Sequence, residues 1–207
     1  MTDTELAPIK EADVDPRVHE ILRRRWSPRA FQSKAVDRDL LLLMFEAARW
    51  AASCANEQPC RFIVATKDDP AAFERVLGCL VEGNQAWARN APVLMITAAK
   101  TTFGQSGGAN RHAWHDVGLA TGNLFAQATA LGLAMHVMGG FDSQKAREAL
   151  LIPDGFEPVT AIAVGYKGHP GLLPEALRAR EIAPRTRKPL GELVFNGRWP
   201  AGEPNTP

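Results

Sequence analysis

The sequence predicts a single domain built as a sheet covered by helices, and three observations predict it. Short apolar runs, RFIVAT at 61–66, APVLMITAA at 91–99 and VTAIAVGY at 159–166, read as strands. Helical segments alternate with them. The chain has 207 residues, about 45% of them apolar, which suits one core.

Taken in order, residues 1–15 read as a loose N-terminal arm, and 16–207 as the domain. Residues 16–25 suit a short helix with Pro16 early in it. WSPRAF ends it, because Pro28 disfavours a helical Ser27. Asp37 is placed to cap a helix over 38–51. Its LLLLMFEAARWAA stretch is apolar almost all round, which predicts burial on most sides. SCANEQP stops that helix before the 61–66 strand, and 70–81 reads as another helix.

The 91–99 strand lacks polar alternation, so it is expected in the middle of the sheet. TTFGQSGGAN, 101–110, reads as a mobile loop by composition. A long helix follows over 111–131. Its Gly118, Gly122, Ala126 and Ala130 recur every four residues and line one stripe. Glycine in a helix costs roughly 1 kcal/mol against alanine, so a close neighbouring backbone is expected there, from this chain or from another subunit.

LAMHVMGGFD is a short strand running into a glycine turn, Asp142 can cap a helix over 143–150, and PDG at 153–155 is a turn. From 167 the chain is rich in Pro, Gly and Arg, and is expected to be disordered or to wrap over something, another subunit being one candidate. No GxGxxG follows the first strand, so a Rossmann dinucleotide site has no support.

The charge balance is close to even, with 24 Lys and Arg against 23 Asp and Glu. That argues against nucleic acid as a partner. The three cysteines, Cys54, Cys60 and Cys79, form neither a disulfide framework nor a zinc set, and read as reduced thiols. The polar, acidic N-terminus does not read as a secretory signal, and no apolar run is long enough to cross a membrane. A cytoplasmic protein is expected.

RRRWSPRAF therefore stands out, with Arg23, Arg24, Arg25 and Arg29 and no acidic residue among them. Arg23 and Arg24 read as a solvated helix end. Arg25, Ser27 and Arg29 fall where the helix stops, and guanidinium forks beside a hydroxyl suit phosphate oxygens. ASCANEQPCRF places Ser53, Asn56 and Gln58 between an apolar helix and an apolar strand. Their paired donors and acceptors suit a planar heterocycle. HxxHD at His112, His115 and Asp116 lacks a further ligand for a metal, and no metal site is expected. Cys54 reads as a small wall residue rather than a reactive thiol, and Trp87 and Trp114 as packing residues, with stacking near the heterocycle open for either.

RRWSPRAF, AASCANEQPCRF, MGGFD and RTRKPL occur in the order seen in the FMN-dependent nitroreductase family, which the chain resembles over about residues 20–195. The resemblance implies an α+β, three-layer α/β/α fold with a central mixed, mainly antiparallel sheet. It implies an intertwined homodimer with FMN at the subunit interface, the tail embracing the partner. Arg25, Ser27, Arg185 and Arg187 would hold the FMN phosphate, and Arg29 would lie near the N1 and C2-oxygen edge. Ser53, Cys54 and Asn56 would reach the flavin of the partner subunit. Asn84 would meet the pyrimidine edge, and Gly139 and Gly140 would offer backbone N–H groups to N5 and O4. Trp26 and Gln58 complete the implied set.

The implied activity is hydride transfer from NADH or NADPH to flavin, then reduction of nitroaromatics, quinones or similar small electrophiles in a ping-pong scheme. This scheme needs no protein nucleophile, and no catalytic acid is assigned. A flavin-binding storage module, or a specialised relative that fragments flavin or removes halogen, stays open. Ala52, Cys54, Cys60 and Gly139 depart from the usual motif residues, which leaves the electron acceptor undefined.

Overall fold

The computed structural model describes residues 10–200, so most of the predicted arm lies outside the described residues. Four strands form one sheet: β1 (Cys60–Thr66), β2 (Val93–Lys100), β3 (Ala134–Met138) and β4 (Phe156–Gly165). Their order is β1-β2-β4-β3, and each of these three ladders is antiparallel. As expected, the 91–99 segment is internal, and β2 is buried from Val93 to Ala99. The parallel component of a mixed sheet does not occur among these ladders.

Strand alternation sorts the core into two layers. On one face Val93, Met95, Ile162 and Val164 meet Leu41 and Met44 of α2 (Arg38–Arg49) and Leu124 of α5 (Ala113–Ala130). On the other, Leu94, Ile96, Ala161 and Ala163 meet Phe73 and Leu77 of α3 (Pro70–Gly78) and Trp87 of α4 (Glu82–Ala88). α6 (Ser143–Ala149) packs against β4 and α3. The fold is a three-layer α+β sandwich.

Asp37 caps α2 through the Asp39 N–H, and Asp142 caps α6 through the Lys145 N–H, as their spacing predicts. Other elements differ. The first helix, α1, covers only Glu20–Arg24 with His19 as its cap, so Pro16 lies outside it. The expected 70–81 helix ends at Gly78, and α4 follows as an unforeseen second helix. α2 buries Leu41, Met44 and Ala48 along one stripe but leaves Leu42 and Leu43 about half exposed, because only α5 and the sheet cover it in one chain.

Loop 101–110 is tied down. Thr102 bridges Ala109, Asn110 N–H donates to Thr101 O at 2.7 Å, and Gly104 N–H donates to Glu57 Oε2 at 2.8 Å. The stripe on α5 also resolves. A Cβ added at Gly118 or Gly122 would meet nothing within 4 Å, so no other backbone among the described residues explains those glycines.

The first part of the segment after β4 packs on its own chain. α7 (Glu175–Ile182) buries Glu181 to 2% exposure, and Leu173 is buried just before it. Beyond it, Leu190, Leu193, Val194 and Trp199 stand exposed.

Candidate functional site

The site begins where α1 stops. Arg25 is extended, and its N–H closes the helix on Ile21 O. From there the chain lies along the end of β4: Phe31 bridges Lys167, and Gly168 N–H donates to Ala30 O at 2.8 Å. A Cβ at Gly168 would come within 2.8 Å of the Phe31 carbonyl carbon, so this approach requires glycine.

The Pro28–Arg29 peptide is held at both ends. His136 of β3 donates from Nδ1 to Pro28 O at 2.9 Å. Glu181 of α7 accepts the Arg29 N–H at 3.0 Å and the Ala30 N–H at 3.1 Å. Burial, with the nearby Arg29 charge adding to it, pushes the His136 imidazole down to about 4, so it is neutral near pH 7. Its ring lies 4.6 Å from Trp87, and the Arg29 guanidinium lies 6.0 Å from the same Trp87.

Arg25, Arg185 and Arg187 gather beside this turn. Burial first, then the Arg187 charge, lowers the pKa of Arg25. Burial, then Arg25 and Arg187, lowers that of Arg185. Arg185 Nη1 donates to Arg23 O at 2.7 Å and Lys10 O at 3.0 Å, across 162 and 175 residues of chain. Lys10 Nζ donates to Glu181 O at 2.8 Å and sits 4.7 Å from the Trp26 ring. Among the described residues none of the three arginines pairs with a carboxylate. Ser27 is half-buried in the same turn. The Trp26 side chain is buried, and its indole N–H has no hydrogen-bond partner among the described residues.

Asn84 and Gly140 meet directly. Asn84 Nδ2 donates to Gly140 O at 2.9 Å, and a Cβ at Gly140 would stand 2.6 Å from that nitrogen. A Cβ at Gly139 would enter open space.

The polar loop after α2 forms a second group. Ser53 Oγ accepts the Gln58 N–H at 3.0 Å, and Gln58 Nε2 donates to Asn56 O at 3.2 Å. Ala55, Asn56 and Gln58 all have positive φ, near +50°. Such backbone persists only when its surroundings hold it. Cys54 N–H donates to the buried Asp116 carboxylate at 3.0 Å. Phe45, Ser53, Gln58, Cys60, Phe62 and Asp116 line a cavity of about 190 Å³ beside this loop. Burial pushes the Cys60 thiol up to about 12, so it stays protonated.

The chain thus brings Arg25, Ser27, Arg29, Arg185 and Arg187 into one region at the β3 edge. Ser53, Cys54, Asn56 and Gln58 stand at the β1 edge and at the other end of the strands, where Cys60 pairs with Ala99 and Ala99 with Glu157. Sequence reasoning missed His136, Glu181 and Lys10, and saw Asp116 only as a weak metal candidate. Their contacts join residues as much as 175 apart, which no local pattern reports.

The fold and these motifs coincide with a known family. The Nitroreductase family model matches residues 22–166, well over half of the chain. The chain belongs to the nitroreductase family. A solved oxidoreductase containing FMN is 34% identical to it, with a TM-score of 0.87, over 95% of this chain and all of that one. A Desulfovibrio desulfuricans protein solved in complex with FMN is 26% identical, with a TM-score of 0.68, over 90% of this chain and 99% of that one. A Ralstonia nicotianae protein, provisionally named an NADH dehydrogenase/NAD(P)H nitroreductase, is 33% identical over 65% of this chain and 80% of its own length. In this nitroreductase-family chain the four family motifs divide between the two edges of the sheet.

Proposed function

We propose that the chain is an FMN-dependent oxidoreductase that takes electrons from NADH or NADPH and delivers them to nitroaromatics, quinones or similar small electrophiles. The observation that carries this reading is the convergence of Arg25, Arg185 and Arg187, three guanidinium groups without a carboxylate partner among the described residues. Such a set is self-repelling alone and suits a phosphate dianion. The FMN present in two similar structures agrees with it.

The other residues fit the same cofactor. Arg29 supplies a fixed cation for the electron-rich edge of a flavin ring. Asn84 spends its amide N–H on Gly140 O, which leaves its carbonyl oxygen as an acceptor for a ring N–H. The open space before Gly139 admits a flat ring against the backbone. When bound, FMN would supply two-electron acceptance from a nicotinamide and its return to the acceptor. The protein binds, orients and limits access, and no side chain is assigned as acid or nucleophile.

A homodimer completes the reading. The uncovered α5 stripe and the exposed Leu42 and Leu43 form a face for a second copy. Ser53, Cys54 and Asn56 of the partner subunit would then reach the flavin that this chain holds. The deciding experiment is a visible spectrum of the protein with FMN, followed by anaerobic NADH or NADPH. Flavin bands that shift on binding and then bleach support the reading. Bands that persist with both donors count against turnover, and absence of binding counts against the cofactor.

A further inference from the structure

We infer that Glu181 and His136 are positioning residues that clamp the Pro28–Arg29 peptide unit and thereby fix the Arg29 cation at the cofactor ring. The inference rests on the FMN reading above and adds two residues to it.

Glu181 is in an unfavourable place for a carboxylate. It is 2% exposed and stands in the last turn of α7, where the helix dipole repels negative charge. What compensates is specific. Both carboxylate oxygens lie 3.0 Å from the Arg29 nitrogen, Oε1 also takes the Ala30 N–H, and Lys10 adds positive charge nearby. Two successive backbone N–H groups therefore point at one anion, 152 and 151 residues away in sequence. The carbonyl of the same peptide unit, Pro28 O, takes the His136 Nδ1–H, and Trp87 fixes that ring face.

A peptide unit held at both ends has no freedom to rotate, so the Cα–Cβ direction of Arg29 is set before any ligand arrives. The guanidinium is guided further by the Trp87 ring. A cation ordered in advance loses little entropy when it meets the ring edge. Anchoring the tail helix would not by itself require both N–H groups of this turn, nor the matching bond to its carbonyl.

The test is a double-mutant cycle on FMN affinity, read by flavin fluorescence, with Arg29→Ala, Glu181→Gln, Glu181→Ala and the Arg29→Ala/Glu181→Gln double variant. Arg29→Ala should weaken binding about tenfold, Glu181→Ala by a similar factor, and Glu181→Gln by less, since one amide oxygen can still accept the Arg29 N–H. The double variant should bind as Arg29→Ala does. Multiplying losses, or a Glu181→Gln protein with unchanged affinity, would overturn the clamp.

Hydrogen exchange on the protein without FMN separates the clamp from the cofactor reading. The Arg29 and Ala30 amides should be protected, and should exchange faster in Glu181→Gln while the β2 and β4 amides do not change. Unprotected Arg29 and Ala30 amides in the unaltered protein would sink the clamp. If the unaltered protein bound no FMN, the cofactor reading would fall with the inferred role of Arg29, and protected amides would leave only the geometric clamp.

Discussion

The backbone N–H of Cys54 donates to the Asp116 carboxylate at 3.0 Å, joining the loop after α2 to the first turn of α5. Asp116 is only 3% exposed, and the loop it holds carries three left-handed residues that are not glycine. The strain of Ala55, Asn56 and Gln58 is therefore balanced by bonds from outside the loop. Asp116→Ala leaves the Cys54 N–H without its acceptor, and should cost about 1–3 kcal/mol in a thermal or urea denaturation. Asp116→Asn keeps an acceptor oxygen and should recover most of the loss. Equal losses in both variants would mean that the bond to Cys54 is not what Asp116 provides.

Neighbouring glycines should answer differently to the same substitution. In Gly140→Ala the new methyl would stand 2.6 Å from Asn84 Nδ2 and 3.0 Å from a Val81 methyl, so the β3–α6 turn must shift and the melting temperature should fall. In Gly139→Ala the methyl enters open space, so stability should hold while FMN binding weakens. Melting curves without FMN and flavin titrations of both variants test the contrast.

The imidazole of His136 gives the stability a definite pH dependence. It titrates near 4 in the folded chain because burial disfavours its charge, against about 6.5 when unfolded. Between those values the unfolded chain binds the extra proton. Stability should therefore fall as the pH drops from about 6.5 towards 4, by up to roughly 3 kcal/mol from this group, and its share should level off below 4. His136→Gln should show a shallower fall than the unaltered protein between pH 7 and 4.5. Parallel curves would assign the dependence to other groups.

Replacing Gly122 tests the uncovered face of α5. Among the described residues, nothing beyond its own turn of helix lies within 4 Å of a Cβ added there, so Gly122→Arg should still fold. If the stripe joins two copies, sedimentation should show the variant as a single chain where the unaltered protein is a dimer. FMN affinity should fall with it, because the partner's Ser53 and Asn56 are lost from the site.

Arg29→Ala should leave a folded protein that binds FMN about tenfold more weakly and is reduced more slowly by NADH or NADPH. Stopped-flow bleaching of the flavin band measures the rate. A variant with normal affinity and rate would remove Arg29 from the ring edge.

Local chemistry made much of the fold legible. Asp37 and Asp142 announce the starts of α2 and α6 because a cap needs only the next few N–H groups. The unbroken apolar run of β2 announces a strand covered on both faces. The arginines of RRRWSPRAF and RTRKPL were visible as candidates, since residue type alone carries their charge. What escaped is what depends on distant chain. Nothing near position 181 marks that glutamate as buried, because its partners are the Arg29 and Ala30 amides. Nothing near 136 marks that histidine as the donor to Pro28. Loop 101–110 has the composition of a mobile segment, yet Glu57 and its own short bridge hold it. The helical repeat put Gly118 and Gly122 on one stripe, but only the packed chain showed that the stripe faces outward. By itself the sequence determined most of the segments that become helix or strand, α4 apart, and which side chains carry charge, because those follow largely from neighbours a few bonds away. The tertiary structure alone decided which charges meet, which are buried and which face is left uncovered, because these depend on contacts between residues far apart in the chain.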